Sequence, residues 1–574
     1  MEWQSSRHRG IAVAMALMLS STGLALAQVN GAQTADAKIK QLQSYIQSID
    51  KLSATQQRYL SSGTRNSYRY AQLEIERLQG KGPVVKAATR QGTGRPIGLR
   101  GDVTLRGPGN PFDLGVTPVN DQGLDFKQSV VGGYAQHESS TAWCGNSVVV
   151  GFEDAGAYLR TRLTNPAGPA SFLNAGASSD GGRTFKGQEF LNPGTDPNAA
   201  LTGNPTVACS SQSTFYYAAQ YFGLAPIGAA NAQYTNSIAV LTSQNGGAAW
   251  GAPKLAAVGD GVHSLGSPWI AADPSHPTTL YLTYTDLDQS DLNLCNDDYT
   301  INVELIASHD GGATWSKPTV PAFFCRVSRE TPESLKLAVD RTGKVYLAFE
   351  VVTEAGAFGP TAIFVGSSID HGATFSTFQD VQDIQPTGGS GDVLEGGIQN
   401  NGYPSLAVDP SGTAVYVAWA DGPFEGENLD LVSGVYNYSD VKVARSLDGG
   451  ASWIYGMMVS PTPATYTGRG RDQFEPAIGV DRTGNVVVCY YDRRNDPNNL
   501  LIDRYCSRST DHGATWVDYK KTSTSFLSAN YDAVTGGFGD YDTTVNDFTG
   551  ANPGVIGGFQ IQNGGDPNVY AVRF

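Results

Sequence analysis

One short pattern recurs six times between residues 178 and 516, and it limits the possible folds more than any other feature of the chain. Each copy reads Ser-x-Asp-x-Gly, with Asn for Asp in one copy, and ends two residues later in Thr, Ala or Ser followed by Trp or Phe. The acidic or amide positions are Asp180, Asn245, Asp310, Asp370, Asp448 and Asp511. They are 65, 65, 60, 78 and 63 residues apart, and so long and regular a period indicates stacked supersecondary units.

The pattern is typical of a tight hairpin turn. An Asp or Asn side chain accepts hydrogen bonds from backbone N–H groups a few residues ahead. The Gly can adopt positive φ without a clash, and the final aromatic ring can be buried as the next strand begins. We therefore interpret the six boxes as structural turns rather than as catalytic carboxylates.

Each unit also carries strands in front of its box. Residues 403–421 read as strand, Asp/Gly turn and strand, and residues 474–492 read the same way. Two strands, a loop, a third strand, a box and a fourth strand predict a propeller blade. Six such units and three strands in the tail predict an all-β propeller of seven blades, with six as the alternative. We expect a strand at Phe126–Gly132 to close the ring, because closure removes exposed sheet edges.

The boxes resemble the Asp-box, or bacterial neuraminidase repeat, of the sialidase-like β-propeller superfamily, over residues 135–574. The resemblance implies that the boxes lie at the blade periphery, on the face away from the ligand. It also implies an exo-acting glycoside hydrolase for acidic, sialic-acid-like or related glycans. The Arg-Ile-Pro tripeptide that sialidases usually carry in the first blade is absent here. A non-catalytic propeller that binds carbohydrate or protein at the cell envelope or exterior is the alternative.

The segments before the repeats differ from them. Residues 1–27 have a basic start, a short apolar run and small residues before Gln28, which predicts a secretory signal peptide. Residues 28–80 form a helical N-terminal segment, since apolar residues recur there at spacings of three and four. Residues 81–134 are rich in Gly and Pro and predict a linker or strap, followed by the propeller at 135–574.

Composition limits the kinds of partner and the cellular compartment that we expect for this protein. The formal net charge of −15 disfavours nucleic acid, and no later segment reaches the 18 apolar residues of a membrane span. We expect a secreted, periplasmic or extracellular protein, a monomer whose partner is a glycan or glycoconjugate. Because exported proteins fold in an oxidising compartment, the six cysteines predict three disulfides. The proposed pairs are Cys144 with Cys209, Cys295 with Cys325, and Cys489 with Cys506.

The candidate site lies in the loops opposite the boxes. These loops are rich in arginines and carboxylates, which suits an anionic sugar, since a guanidinium binds a carboxylate through two parallel hydrogen bonds. Candidate catalytic residues are Asp492 and Glu475, as carboxyl groups, and Tyr491, because sialidases use a tyrosine nucleophile. Candidate substrate-binding residues are Arg326, Arg329, Arg469, Arg471, Arg493 and Arg494. Other contributors on this face are Glu153, Asp154, Arg160, Arg162, His263, Glu330, Asp540 and Tyr541.

No cofactor and no catalytic metal are predicted. Outside the signal and the turns, only His137 and His263 remain, too few for a histidine-rich zinc site. Asp286, Asp288, Ser290 and Asp297 have part of the spacing of a calcium loop but lack its Gly and its final Glu. A structural calcium ion and a solvated acidic loop are the two interpretations of that segment.

Overall fold

The computed structural model describes residues 34–52, 60–81, 116–121, 136–225, 233–295, 299–325, 330–353, 361–384, 393–394, 398–399, 402–421, 429–430, 435–436, 439–459, 471–527, 539, 541–563 and 566–574. The predicted signal peptide, most of the predicted linker and the predicted strand at 126–132 lie outside them. Seven antiparallel sheets of four main strands surround a central channel, which confirms the predicted seven-bladed propeller.

The first four blades follow one another along the chain, each running from its innermost to its outermost strand. Blade one comprises β2 (Gln136–Cys144), β3 (Ser147–Asp154), β5 (Leu173–Ser178) and β6 (Lys186–Gly187). Blade two comprises β7 (Ala200–Cys209), β8 (Phe215–Ala225), β9 (Gln233–Ser243) and β10 (Lys254–Ala257), with β4 (Ala170–Ser171) parallel to β7. Blade three comprises β11 (His263–Ala272), β12 (Leu280–Asp288), β13 (Thr300–Ser308) and β14 (Thr319–Cys325). Blade four comprises β15 (Glu330–Val339), β16 (Val345–Thr353), β17 (Thr361–Ser368) and β18 (Gln379–Ile384).

Two further blades have the same order, and two short strand pairs accompany them, one before blade five and one inside it. Blade five comprises β21 (Ser405–Val408), β22 (Val415–Asp421), β25 (Asp440–Ser446) and β26 (Ile454–Met458). Blade six comprises β27 (Gln473–Val480), β28 (Val486–Asp492), β29 (Leu501–Ser509) and β30 (Val517–Lys520), with β31 (Phe526–Leu527) also paired to β29. The short pairs are β19 (Val393–Leu394) with β20 (Ile398–Gln399) and β23 (Leu429–Asp430) with β24 (Val435–Tyr436).

The seventh blade is built from both ends of the propeller sequence. Its inner strands are β32 (Thr544–Asn546), β33 (Val555–Asn563) and β34 (Asp566–Arg573), and its outermost strand is β1 (Val116–Pro118). The strand that closes the ring therefore comes from a segment that the sequence assigned to the linker, ahead of the predicted position. The pairing of Val116–Pro118 with Val572–Tyr570 covers the last sheet edge.

The six boxes have one geometry. In the third box, Asp310 Oδ1 accepts from the N–H of Thr314 at 2.8 Å and Oδ2 accepts from its hydroxyl at 2.6 Å. The Ser308 hydroxyl donates to Asp310 and accepts from the N–H of Gly312, whose φ is +82°. All six boxes lie between the third and fourth strands of their blades, on what we call the lower face. The opposite, upper face carries the connections between second and third strands and between successive blades.

Three helices lie on the upper face over blades one and two. They are α1 (Ala35–Asp50), α2 (Ser62–Leu78) and α3 (Ala155–Thr164); a short 3-10 helix spans Leu292–Cys295. Thr34 and Ser61 cap α1 and α2 with their hydroxyls. The apolar sides of the hairpin formed by α1 and α2 pack on Phe172, Phe222 and Tyr234, at strand ends of blades one and two. The sequence had not predicted α3.

The three predicted disulfides are present. Cys144–Cys209 joins the inner strands of blades one and two, Cys295–Cys325 ties a connection of blade three to β14, and Cys489–Cys506 links β28 to β29. None of the described helices is both long and apolar enough to cross a membrane.

Candidate functional site at the mouth of the channel

Equivalent positions of the innermost strands converge at the upper end of the channel, which we call the mouth. Five of these positions have left-handed backbone angles, with φ between +47° and +54°, at irregularities in β2, β7, β11, β15 and β27. They are Glu138, Asn204, Ser267, Ser334 and Glu475. Non-glycine residues adopt this conformation at a cost of about 1–3 kcal/mol, and such strain clusters at functional sites. In blades five and seven the corresponding residues are Tyr403 and Tyr541.

Two residues further along each inner strand, four of the seven blades have a Ser or Thr whose hydroxyl forms a hydrogen bond with the next blade. The oxygen accepts from a backbone N–H of the neighbour at 2.6–3.1 Å. The four pairs are Thr543 with Thr141, Ser140 with Val207, Thr206 with Ile270, and Ser405 with Ile478. Blades three, four and six depart from this rule and carry Trp269, Lys336 and Ala477. A departure from a repeated structural rule marks a candidate functional position.

Two of these three residues, Trp269 and Lys336, contact each other. The Lys336 ammonium lies 3.9 Å from the centre of the Trp269 ring and 4.5 Å from that of Tyr541. The two ring centres are 5.7 Å apart with an angle of 65° between the ring planes, and the Tyr541 hydroxyl donates to the Pro205 carbonyl at 2.7 Å. Lys336 is only 4% exposed, so its charge is largely desolvated and attracted by both rings. The cluster is a cation held over two aromatic rings.

The space around this cluster is small. A cavity of about 20 Å³, the room of one water molecule, is lined by the cluster together with Ser61, Asn204, Glu333 and Tyr403 among others. A second cavity of about 210 Å³ lies further down the channel and reaches Asp340, Arg341 and Asp409 near the lower face. Among the described residues, the cavity at the upper end is therefore small and the lower one is larger.

The start of α2 covers the mouth on the side of blades one and two. The Ser62 hydroxyl oxygen lies 2.6 Å from a carboxylate oxygen of Glu138 and 2.6 Å from one of Glu153. The N–H of Gly63 donates to Asn204 Oδ1 at 3.0 Å, and a Cβ at Gly63 would come within 2.6 Å of that oxygen. A larger residue at Gly63 would require the Asn204 and Gln220 side chains to shift, and among the described residues the start of α2 covers the ring at blades one and two.

The residues predicted to be catalytic in blade six are mostly buried. Tyr491 donates to Asp542 at 2.7 Å, and burial, reinforced by the Asp542 charge, raises its pKa well above the ordinary value. Asp492 accepts from Arg494 and Gln473, and burial raises its pKa as well. Neither side chain has an exposed surface. Glu475 alone of the three is a member of the mouth ring.

The three predicted arginines that lie among the described residues, Arg471, Arg493 and Arg494, differ in their surroundings. Arg493 is fully buried and pairs with Asp472 at 2.7 Å, whereas Arg494 pairs with Asp492 and Asp518 at 2.6 Å. Arg471 is 9% exposed at the start of blade six. Arg326, Arg329 and Arg469 lie outside the described residues, as does Asp540.

The remaining predicted contributors occupy other parts of the upper face. Arg160 pairs with Asp154 at the start of α3, and Arg162 pairs with Glu74 of α2 at 3.2 Å. His263 is the first residue of β11, where its Nδ1 is 2.7 Å from Asp286 Oδ2. Burial lowers the pKa of His263, but its hydrogen bond to Asp286 and the surrounding carboxylates outweigh this and raise it overall.

Sequence reasoning did not single out Trp269, Lys336, Glu333 or Tyr403. A comparison of the units with each other could have found two of them. Four units place Ser or Thr after the dipeptides Asn204-Pro205, Tyr403-Pro404, Glu138-Ser139 and Tyr541-Asp542, whereas Trp and Lys take that place in units three and four.

No family model matches the chain, and no curated protein matches it. Among solved structures, it is similar to an α-L-arabinanase of Penicillium chrysogenum complexed with arabinobiose, at 14% identity, covering 66% of this chain and 94% of that one, with a TM-score of 0.40. It is similar to an ulvan lyase of a new polysaccharide lyase family at 12% identity, over 77% and 94% of the two chains, with a TM-score of 0.42. It is also similar to Trypanosoma rangeli sialidase in complex with 2,3-difluorosialic acid at 10% identity, over 80% and 56%, with a TM-score of 0.37. None of these similarities assigns a substrate to this chain.

Proposed function

We propose that the protein is an exported carbohydrate-active propeller that takes acidic glycans at the mouth, as a glycoside hydrolase of the sialidase-like type. The observation that carries the proposal is the replacement of two inter-blade hydroxyls by Trp269 and Lys336, which meet under Tyr541. An aromatic face suits the apolar face of a sugar ring, and an ammonium suits its carboxylate.

The enclosed space admits one water molecule, so a sugar ring would lie above the cluster with its carboxylate directed towards Lys336. Glu475, held by its strained backbone in the same ring, is the proposed general acid. The proposed roles of Asp492 and Arg493 become positioning roles, because both side chains are buried and engaged in their own blade.

Binding without turnover is the second candidate. It is favoured by the complete burial of Tyr491, which a nucleophile in contact with substrate would not show. A variant at Glu475 distinguishes the two candidate functions. If the protein is an enzyme, Glu475→Gln is expected to abolish turnover and to preserve binding. If the protein only binds glycans, neither the unaltered protein nor the variant shows turnover.

The test is a comparison of glycans and variants. Purified protein is incubated with a sialoside, a uronic-acid oligosaccharide and a neutral oligosaccharide of equal length, and both binding and product release are measured. Lys336→Met is expected to weaken binding of an acidic glycan about tenfold or more, since hydrogen bonds to charged groups contribute about 1.5–3 kcal/mol.

Lys344→Met is the matched control. Lys344 also lies over an aromatic ring, 4.8 Å from the centre of Tyr346, but at the lower face. Equal affinity for acidic and neutral glycans, or an effect of Lys344→Met as large as that of Lys336→Met, would overturn the assignment of the mouth.

A further inference from the structure

A histidine and two aspartates converge on the upper face of blade three, outside the mouth. His263 begins β11, and Asp286 and Asp288 end the neighbouring β12, where His263 and Asp288 are register partners. Nδ1 of His263 lies 2.7 Å from Asp286 Oδ2 and 3.7 Å from Asp288 Oδ1. One donor atom from each residue fits within 4.8 Å of the other two.

The surroundings hold these side chains in place. Asp288 accepts from the N–H of Ser290 at 2.7 Å and from the Asn302 amide at 3.4 Å. The backbone N–H of His263 donates to Asp260 at 2.9 Å, and its carbonyl accepts from the Thr235 hydroxyl at 3.1 Å. The donor set is therefore preorganised on two adjacent strands.

One carboxylate oxygen in the cluster has no protein partner. Asp286 is 2% exposed, and its Oδ1 has no hydrogen-bond donor in the described part of the chain. A buried acceptor without a donor costs about 1–3 kcal/mol, more when it is charged, and a cation would supply the missing interaction. The His263 side chain is 32% exposed and that of Asp288 is 20% exposed, so an ion can enter from solvent.

The separations suit a small transition-metal ion. Zinc binds imidazole nitrogen and carboxylate oxygen at about 2.0–2.2 Å, which places tetrahedral ligands roughly 3.4 Å apart. The 3.7 Å between Nδ1 and Asp288 Oδ1 is close to that value. The 2.7 Å between Nδ1 and Asp286 Oδ2 is a hydrogen bond, so metal binding would displace its proton to solvent and move these two atoms about 0.7 Å apart. Calcium prefers six to eight oxygen ligands, whereas one imidazole with two carboxylates suits zinc and its neighbours.

We propose that His263, Asp286 and Asp288 bind one divalent transition-metal ion, with water completing the coordination. The site differs from the calcium loop considered for this segment, because it takes its nitrogen ligand from β11. It does not depend on the function proposed for the mouth.

The test uses the full-length protein after treatment with a chelator and removal of the chelator. Isothermal titration with Zn²⁺ is expected to show one site per chain and a rise in melting temperature. Asp288→Asn, which keeps the shape of the side chain, and His263→Gln are each expected to weaken the site about tenfold or more.

The matched control is His276→Gln. His276 also lies near an aspartate, with Nδ1 3.5 Å from Asp273 Oδ2, but it is on the lower face and forms no ion pair with a second carboxylate among the described residues. Circular dichroism checks that each variant is folded. Unchanged Zn²⁺ affinity in both His263→Gln and Asp288→Asn, tighter binding of Ca²⁺ than of Zn²⁺, or no Zn²⁺ site in the unaltered protein would overturn the proposal.

Discussion

At the scale of single residues, burial alone does not distinguish a charge within one blade from a charge beside the mouth. Arg493 is fully buried, with Asp472 as its ion-pair partner and its guanidinium 5.4 Å from the centre of the Phe474 ring. Its Nε and Nη2 have no hydrogen-bond partner among the described residues, so the compensation of its charge depends on Asp472. Lys336 is as deeply placed but lies under two rings that border the mouth.

Asp472→Asn is therefore expected to lower the free energy of unfolding by about 3–5 kcal/mol, because it leaves a buried charge without its counterion. Urea denaturation followed by circular dichroism measures the loss. Asp518→Asn is the control, since its partner Arg494 keeps Asp492 and the Asp518 side chain is 29% exposed. The control should change stability by less than about 1 kcal/mol, and equal losses in the two variants would contradict the distinction.

At the scale of elements, one buried carboxylate links the two helices of the hairpin to each other and to α3. Glu74 of α2 pairs with Lys38 of α1 at 2.8 Å, with Arg77 at 2.7 Å and with Arg162 of α3 at 3.2 Å. Burial alone would raise the pKa of Glu74, but its bonds to Arg77, Arg162 and Lys38 outweigh this and lower the pKa from 4.5 to about 2. The same hairpin places Ser61 and Ser62 at the mouth.

This lowered pKa gives a pH-dependent attachment. The contribution of Glu74 is fully present above pH 4.5 and is lost as the pH falls towards 2, because protonation removes the charge that the three cations require. It amounts to about 3 kcal/mol. Limited proteolysis between pH 6 and pH 3 should show earlier release of the hairpin as the pH falls, and Glu74→Gln should show that release already at pH 6. Glu76→Gln, an exposed neighbour on the same helix, should behave like the unaltered protein.

At the scale of the whole molecule, the ring is closed by a segment far from the rest of its blade in sequence. Strand β1 pairs with β34, and Val119 just after it is 1% exposed. The Asn120 amide donates to Asn568 Oδ1 at 2.7 Å, and its oxygen accepts from the N–H of Val569 at 3.0 Å. The side-chain hydrogen bonds of Asn120 therefore supplement a short strand that pairs with β34 at three residues.

Asn120→Ala is expected to cost about 1–3 kcal/mol of unfolding free energy, because it removes the acceptor of a buried N–H. Thermal and urea denaturation would both report the change. Asp121→Ala, at the exposed neighbouring position, should lower stability by less than about 1 kcal/mol. A loss at Asp121 as large as that at Asn120 would mean that closure does not depend on these bonds.

The local pattern was enough to predict the propeller, the seven blades and the disulfide pairs. Each box is a turn whose hydrogen bonds run between residues at most four apart. The six boxes predicted six sheets, and the strands of the tail predicted the seventh. The closing strand was misplaced because three residues without a box or a turn carry almost no local signal. The helix α3 was missed because its residues are buried nearly all round, which leaves no amphipathic pattern to read.

The mouth depended on tertiary structure. Trp269, Lys336 and Tyr541 are 67 and 205 residues apart along the chain and meet only because seven inner strands converge on one axis. Charge-rich loops such as 491–496 stood out in the sequence, but composition cannot tell an arginine that faces a ligand from one that pairs inside its own blade. Local hydrogen bonding determines the turns and so can be read from the chain, whereas the convergence of distant side chains follows from ring closure.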